Sequence, residues 1–384
     1  MVYLTICPIP NFADYRYDVI FKAYKWDLQA GDQSTISDHA LLLDNSDANF
    51  LANAAQQLYI ETVNLECALK QRPDLAVKMG ISEQMADKLH SCTYNAEKHI
   101  RFMRFDFHPT EDGWVLSEVN SDVPAGYPEA SILPTITEQY LPGYTPYGNF
   151  GEVLTQRLTC HLPQGGTVAY VHDTHIVEDY QIFRFLGDIL DAKGYRSLYL
   201  APNNMQWEGT RAGGIDAIMR YYPVEWMECT PDIEWTRFLN TDTPSCNHPI
   251  ALLTQSKRLP LVWDELDVDL PAWKKFLPQT VCPLVQPNMD GWIFKPAFGR
   301  VGEGINVPGV VSADENRDIT VSAVTQPEQW VAQKMFRSKP VSGKHVCIGV
   351  FVIDGTFAGF YGRTADCPRI DENAADTPVL LKNQ

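Results

Sequence analysis

Apolar residues recur at helical spacing over 47–70, where Leu51, Ala54, Leu58, Leu65 and Leu69 predict an amphipathic helix. A shorter helix is predicted over 82–98. From residue 99 the period changes to two. HIRFMRFDFH (99–108) and WVLSEVN (114–120), separated by PTEDG, read as a β-hairpin with a five-residue loop. Side chains two apart share a face of a strand. Arg104, Asp106 and His108 are therefore expected to point one way, and Trp114, Leu116, Glu118 and Asn120 to share a face of the partner strand. Residues 1–45 are rich in aromatic side chains without a clear period and are expected to be irregular.

Further along, TVAYVHD, EDYQIFRFLGDILDAKG and YRSLYLAP (within 166–202) predict strand, helix and strand, with Gly194 at the helix C-terminus. IDAIMRY (215–221) adds a third strand. This is an α/β unit expected to build a small parallel sheet, whose strand-end loops are the usual ligand sites of such sheets. The last third differs. WIFKPAFGRVGEGINV (292–307) predicts a strand running into a glycine-rich loop, and WVAQKMF (330–336) a second strand. VCIGVFVI and TFAGFYGRT flank Asp354-Gly355, a type I′ hairpin signal, so the C-terminal part is expected to be antiparallel.

Composition narrows the class. With 384 residues, 45% hydrophobic and 21% charged, the chain is globular and divides into two or three domains. The expected divisions are 1–162, 163–245 and 246–384. No apolar run is long enough for a membrane helix, and the N-terminus lacks the basic stretch and apolar core of a secretory signal. A net charge of −17 disfavours nucleic acid as a partner. Nine scattered cysteines without a Cys-x-x-Cys pair point to reduced thiols and a cytoplasmic location.

Candidate chemistry concentrates in two places. On the first hairpin, Asp106, Glu118 and Asn120 offer oxygen ligands for a hard cation such as magnesium, and Arg104 beside them could neutralise a transferring phosphoryl group. The same residues also read as a salt bridge on an exposed sheet face. In the last third, Lys295 precedes GRVGEG (299–304), whose glycines let backbone amides approach an anion while Lys295 and Arg300 add charge. It is neither a Walker A loop nor a dinucleotide fingerprint, and it also reads as a flexible surface loop. His172 and His175 form a His-x-x-His pair with no third ligand, so polar loop residues are the better expectation. No serine-hydrolase elbow or zincin motif occurs.

Taken in order, RFDFHPTEDGWVLSEVNSD (104–122), RYYPVEWM, SKRLP, FKPAFGRVGEG, WVAQKMF and the closing TPVLL resemble the glutathionylspermidine synthases and their relatives. The resemblance covers most of the chain from about residue 100. It implies an ATP-grasp fold in which the metal-binding strands precede the glycine loop, with the parallel-sheet α/β unit as a subdomain. It implies ATP and Mg2+ as cofactors. Asp106, Glu118 and Asn120 would hold the metal, and Arg104 and Arg363 would serve the reaction centre. Lys257, Lys295, Gly299, Arg300, Gly302, Gly304, Gln333 and Lys334 would bind ATP. Asp122, Glu178, Glu225 and Trp226 would face the substrates. The segment after Asn-x-Asp departs from the family: VPAGYPEA (123–130) has no serine or threonine, where relatives often carry hydroxyls that help hold glutathione. The cysteine-dependent amidase domain of bifunctional members has no counterpart, so synthesis chemistry alone is expected. The implied activity is ATP-dependent joining of a peptide-like carboxylate to an amine through an acyl phosphate, with small peptide- or polyamine-like molecules as the substrates. A nucleotide-binding homologue without turnover and a non-catalytic peptide-binding module are the alternatives.

Overall fold

The structure, a computed structural model, describes residues 2–26, 29–30, 33–285 and 290–382. Its centre is a five-stranded antiparallel sheet in the order Ala375–Thr377, Thr356–Ala365, His345–Ile353, Phe102–Thr110 and Gly113–Asn120. The two hairpins expected from the sequence thus join edge to edge, with 102–107 paired against 348–353. Asp354 and Gly355 take φ of 46° and 78°, as a type I′ turn requires. The first hairpin is tighter than expected. Its strands continue to the Thr110–Gly113 pair, leaving two turn residues rather than five.

The helix Asn45–Lys70 covers one face of this sheet. Asp44 caps it by accepting from Asp47 N–H at 2.7 Å. Leu51, Leu58 and Leu65 meet Phe105, Phe107, Leu116 and Val350 in one core, where each fully buried side chain contributes on the order of 1.5–3 kcal/mol. The opposite face is divided. At one end Phe102, Phe351 and Ile353 pack with Phe150 under the helix Phe150–His161. Two residues further along, the same strand face turns polar with Arg104, Asp106 and His108.

The expected α/β unit is present as a parallel sheet, Ser245–Cys246, Ala217–Arg220, Thr167–Val171 and Arg196–Leu200. The helix Val177–Asp191 connects two of its strands, and Gly194 follows at φ 86°. All five residues of Thr167–Val171 are buried, as befits a parallel strand covered on both faces. A smaller antiparallel sheet, Thr280–Val281, Trp330–Lys334 and Trp292–Pro296, carries the strand that leads into the glycine-rich loop.

Residues 1–45 are not irregular: Leu4–Pro8 pairs antiparallel with His39–Leu43, and Phe12–Lys22 is a helix. Every residue of His39–Leu43 is buried, so there was no alternation to read. The C-terminal part is not wholly antiparallel either, since Val379–Lys382 runs parallel to His39–Leu43. The 82–98 helix is shorter, Glu83–Ser91, followed by a 3-10 turn at Ala96–Lys98. All nine cysteines are free thiols. Among the described residues, no helix is long and apolar enough to cross a membrane.

Candidate active site

A cleft of about 240 Å³ opens over the polar end of the central sheet. A β-bulge builds its floor. Asp106 pairs with Glu118, but Phe107 pairs with Leu116, so Ser117 is an extra residue in the second strand. The bulge reverses the facing of everything beyond it. Trp114 and Leu116 enter the apolar core, while Glu118 and Asn120 line the cleft with Arg104 and Asp106. The expectation that Trp114, Leu116, Glu118 and Asn120 share a face fails for this reason.

The bulge residue is itself a hub. Its carbonyl accepts from Lys295 Nζ at 3.2 Å, and its hydroxyl donates to the Asp106 carbonyl at 3.1 Å. His108 Nε2 lies 3.1 Å from the same hydroxyl. His108 is buried against Phe336, and burial together with the Lys295 charge lowers its pKa to about 4, so the ring is neutral.

Charges in the cleft are paired tightly. Arg104 grips Asp106 with two bonds, Nε to Oδ1 at 2.7 Å and Nη2 to Oδ2 at 2.9 Å. Its third donor reaches the Ala125 carbonyl, and its guanidinium lies 5.0 Å from the Tyr361 ring centroid. Asn120 Nδ2 donates to Asp106 Oδ2 at 3.0 Å. Glu118 sits 3.0 Å from Lys257 Nζ, which also donates to the Gly299 carbonyl. Burial alone would raise the Glu118 pKa; Lys257 and Lys295 more than offset this and hold it at about 2. Burial lowers Lys295 to about 8. Arg363 donates to the Asp371 carbonyl, and its Nε is buried without a partner.

The glycine-rich loop roofs the cleft. Gly302 and Gly304 both have φ of 69°, and the β-branched Val301 has φ of 50°. A Cβ on Gly302 would lie 2.6 Å from the Ile370 carbonyl, so the loop presses against 370–371 with no room for a side chain. Arg300 pairs with Glu225 and lies 5.3 Å from the Trp226 ring centroid. The loop is thereby tied to the helix Val224–Cys229 of the α/β unit.

A second cavity, of about 140 Å³, shares Ala125, Tyr221 and Tyr361 with the cleft. Glu129, Glu178, Asp179 and Asp376 line it, together with Lys25.

The model of the glutathionylspermidine synthase preATP-grasp family matches residues 11–381. The chain belongs to this family. A search of curated proteins finds no match. Among solved structures, a glutathione synthetase-like effector from Globodera pallida in apo form aligns with a TM-score of 0.64, covering 98% of this chain and 99% of that chain at 12% identity. A putative γ-glutamylcysteine synthetase from Methylobacillus flagellatus aligns at 0.43, covering 79% and 86% at 11% identity.

In this member of the family, the cleft brings together Arg104, Asp106, Glu118, Asn120, Lys295, Arg300, Gly302 and Arg363. Lys257 joins them through Glu118. Other residues singled out in the sequence lie elsewhere. Gly299 and Gly304 face a separate groove with Phe298 and Trp330. Gln333 is buried on the neighbouring strand, its Nε2 donating to Thr280 and its Oε1 without a partner. Lys334 is exposed on the same strand. Asp122 does not line the cleft: it is fully buried against Arg220, Nη1 to Oδ2 at 3.1 Å, and also accepts from Val224 N–H. His175 is exposed and pairs with Asp173, whereas His172 is buried. Among the described residues, no group of three or more His, Cys, Asp or Glu could hold a metal. The hairpin residues expected to hold a metal are two carboxylates and an amide. The sequence reading missed Ser117, which no residue type marks as a bulge. It also missed Tyr361 and Arg369, which line the cleft from the C-terminal part, and Glu129 and Asp376 of the second cavity.

Proposed function

We propose that this protein is an ATP-grasp-type, ATP- and magnesium-dependent carboxylate–amine ligase. The observation that carries the reading is the convergence of Asp106, Glu118 and Asn120 with Lys257, Lys295 and Arg104 under one glycine-rich loop. Magnesium bound to phosphates needs only one or two carboxylates and keeps several waters, so two carboxylates and an amide suit it. Asp106, Glu118 and Asn120 would hold the metal, which would offset the negative charge of the ATP phosphates.

The chain's own groups account for the rest. Lys295 and Lys257 would exchange the Ser117 and Gly299 carbonyls for phosphate oxygens. Arg104, held on Asp106 by Nε and Nη2, would turn its remaining Nη1 from the Ala125 carbonyl to the acceptor carboxylate, and Arg363, which lines the same cleft, would add a second positive charge there. The carboxylate oxygen attacks the γ-phosphorus, and ADP leaves with the bridging oxygen. The amine nitrogen then attacks the acyl carbon, phosphate leaves, and one proton is released from the nitrogen. Positioning and charge stabilisation carry such a reaction, which fits a cleft with many cations and a neutral, buried His108. The amine reaches the acyl carbon from the second cavity, whose carboxylates suit a cationic substrate and whose wall is continuous with the cleft. The Arg220 ion pair commits Asp122 and leaves it no part in proton removal.

Lys295→Ala tests the ATP side whatever the substrates are. A charge-assisted contact is worth about 1.5–3 kcal/mol, so ATP affinity by calorimetry should fall roughly tenfold to a hundredfold. The sign with pH follows from burial of the lysine. Its charge is present below about 8 and is lost above it. Wild-type affinity should decline between pH 7 and 9.5, while the variant stays flat. A variant with wild-type affinity and the same pH dependence would remove Lys295 from the phosphate site.

A further inference from the structure

The second cavity holds two pairs of carboxylates, and the chain has already occupied one. Lys25 Nζ lies 3.0 Å from Glu129 and 2.8 Å from Asp376, with both ends of each contact largely buried. Asp376 also accepts from the Tyr361 hydroxyl at 2.7 Å. The other two, the exposed Glu178 and the half-buried Asp179, stand in the first turn of Val177–Asp191.

Lys25 is not a loose surface lysine whose ion pairs carry little weight. It follows the C-terminus of the helix Phe12–Lys22, where Tyr24 takes φ of 60° and turns the chain. Its neighbours anchor it on both sides. The Tyr24 hydroxyl donates to Asp188, and Trp26 N–H donates to Gln181 Oε1 at 2.7 Å. Asp188 and Gln181 lie on the same helix as Glu178 and Asp179. Two buried carboxylates facing one point require a cation or a proton. Here the chain supplies that cation.

We propose that Lys25 is a specificity-determining residue for the amine. Its ammonium fills the Glu129–Asp376 pair and leaves only Glu178 and Asp179 of the cavity's carboxylates to a ligand, so the accepted amine carries a single cationic group beyond its reacting nitrogen. A diamine meets this condition and a longer polyamine does not. The inference rests on the reading of the second cavity as the amine end of the site.

The test uses the full chain and calorimetric titration with putrescine and spermidine. In the wild type, spermidine should bind no more than about threefold tighter than putrescine. Lys25→Met should raise spermidine affinity tenfold or more and leave putrescine within about threefold, and Lys25→Arg should keep the wild-type preference. A wild type that prefers spermidine tenfold would overturn the inference without any variant being needed. So would a Lys25→Met protein that binds both amines in the wild-type ratio; the amine reading of the cavity would then stand. Absence of binding by either amine to both proteins would remove the amine reading itself, and the Lys25 inference with it.

Discussion

Glu118→Gln is expected to abolish magnesium-dependent ADP formation while leaving the fold intact. Glu118 and Asp106 are the two carboxylates that the first hairpin turns into the cleft, and the neighbours of Glu118 keep it ionised at any working pH, with a pKa of about 2. Glutamine preserves its shape and its hydrogen-bonding reach but deletes the charge. Two effects then add. The proposed metal site would lose one of its two carboxylates, and Lys257 and Lys295 would lose the counter-charge they share. Removing a single preorganised electrostatic contact from an active site costs on the order of a hundredfold to a thousandfold in rate. The expected loss is of that order at saturating magnesium, with a melting temperature close to that of the wild type. Turnover within tenfold of the wild type would show that the hairpin carboxylates do not serve a metal.

Asp122→Ala should act on the fold. Asp122 and Arg220 are both essentially inaccessible to solvent, and Arg220 is the largest fully buried side chain in the structure. Their ion pair joins the end of the first hairpin to the parallel sheet. Asn247 braces the same junction by donating from Nδ2 to the Phe102 and Asp122 carbonyls, at 2.8 and 2.9 Å. Truncating Asp122 leaves a guanidinium buried without its partner and takes an acceptor from Val224 N–H. Breaking such a pair from one side costs about 3–5 kcal/mol. Urea unfolding should report a destabilisation of that size. A change below about 1 kcal/mol would mean that water or the carbonyls of Tyr222 and Asn247, which Arg220 already meets, suffice to satisfy it.

These two residues also mark what could be read from the sequence. The hairpins, the long helix and the parallel sheet were legible because each carries a clean period or a short apolar run bounded by turn residues. Arg104 and Asp106 were legible as neighbours for the same reason. Beyond the bulge, alternation placed Glu118 correctly relative to Asp106 but wrongly relative to Leu116, because one inserted residue leaves no mark on composition. Asp122 stands two residues after Asn120 and reads as one more site carboxylate. Only the fold shows that Arg220, 98 residues away, claims it. The pairing of Arg300 with Glu225 and the bridge from Lys25 to Asp376 are of the same kind. Each joins segments far apart in the chain, so local pattern holds no record of them.

The central claim is that the cleft binds ATP together with magnesium. The most direct measurement is calorimetric titration of ATP into the full chain, with magnesium present and with magnesium chelated. The account predicts saturable binding at one site that weakens at least tenfold without the metal. Absence of binding at millimolar ATP, or equal affinity with and without magnesium, would contradict it.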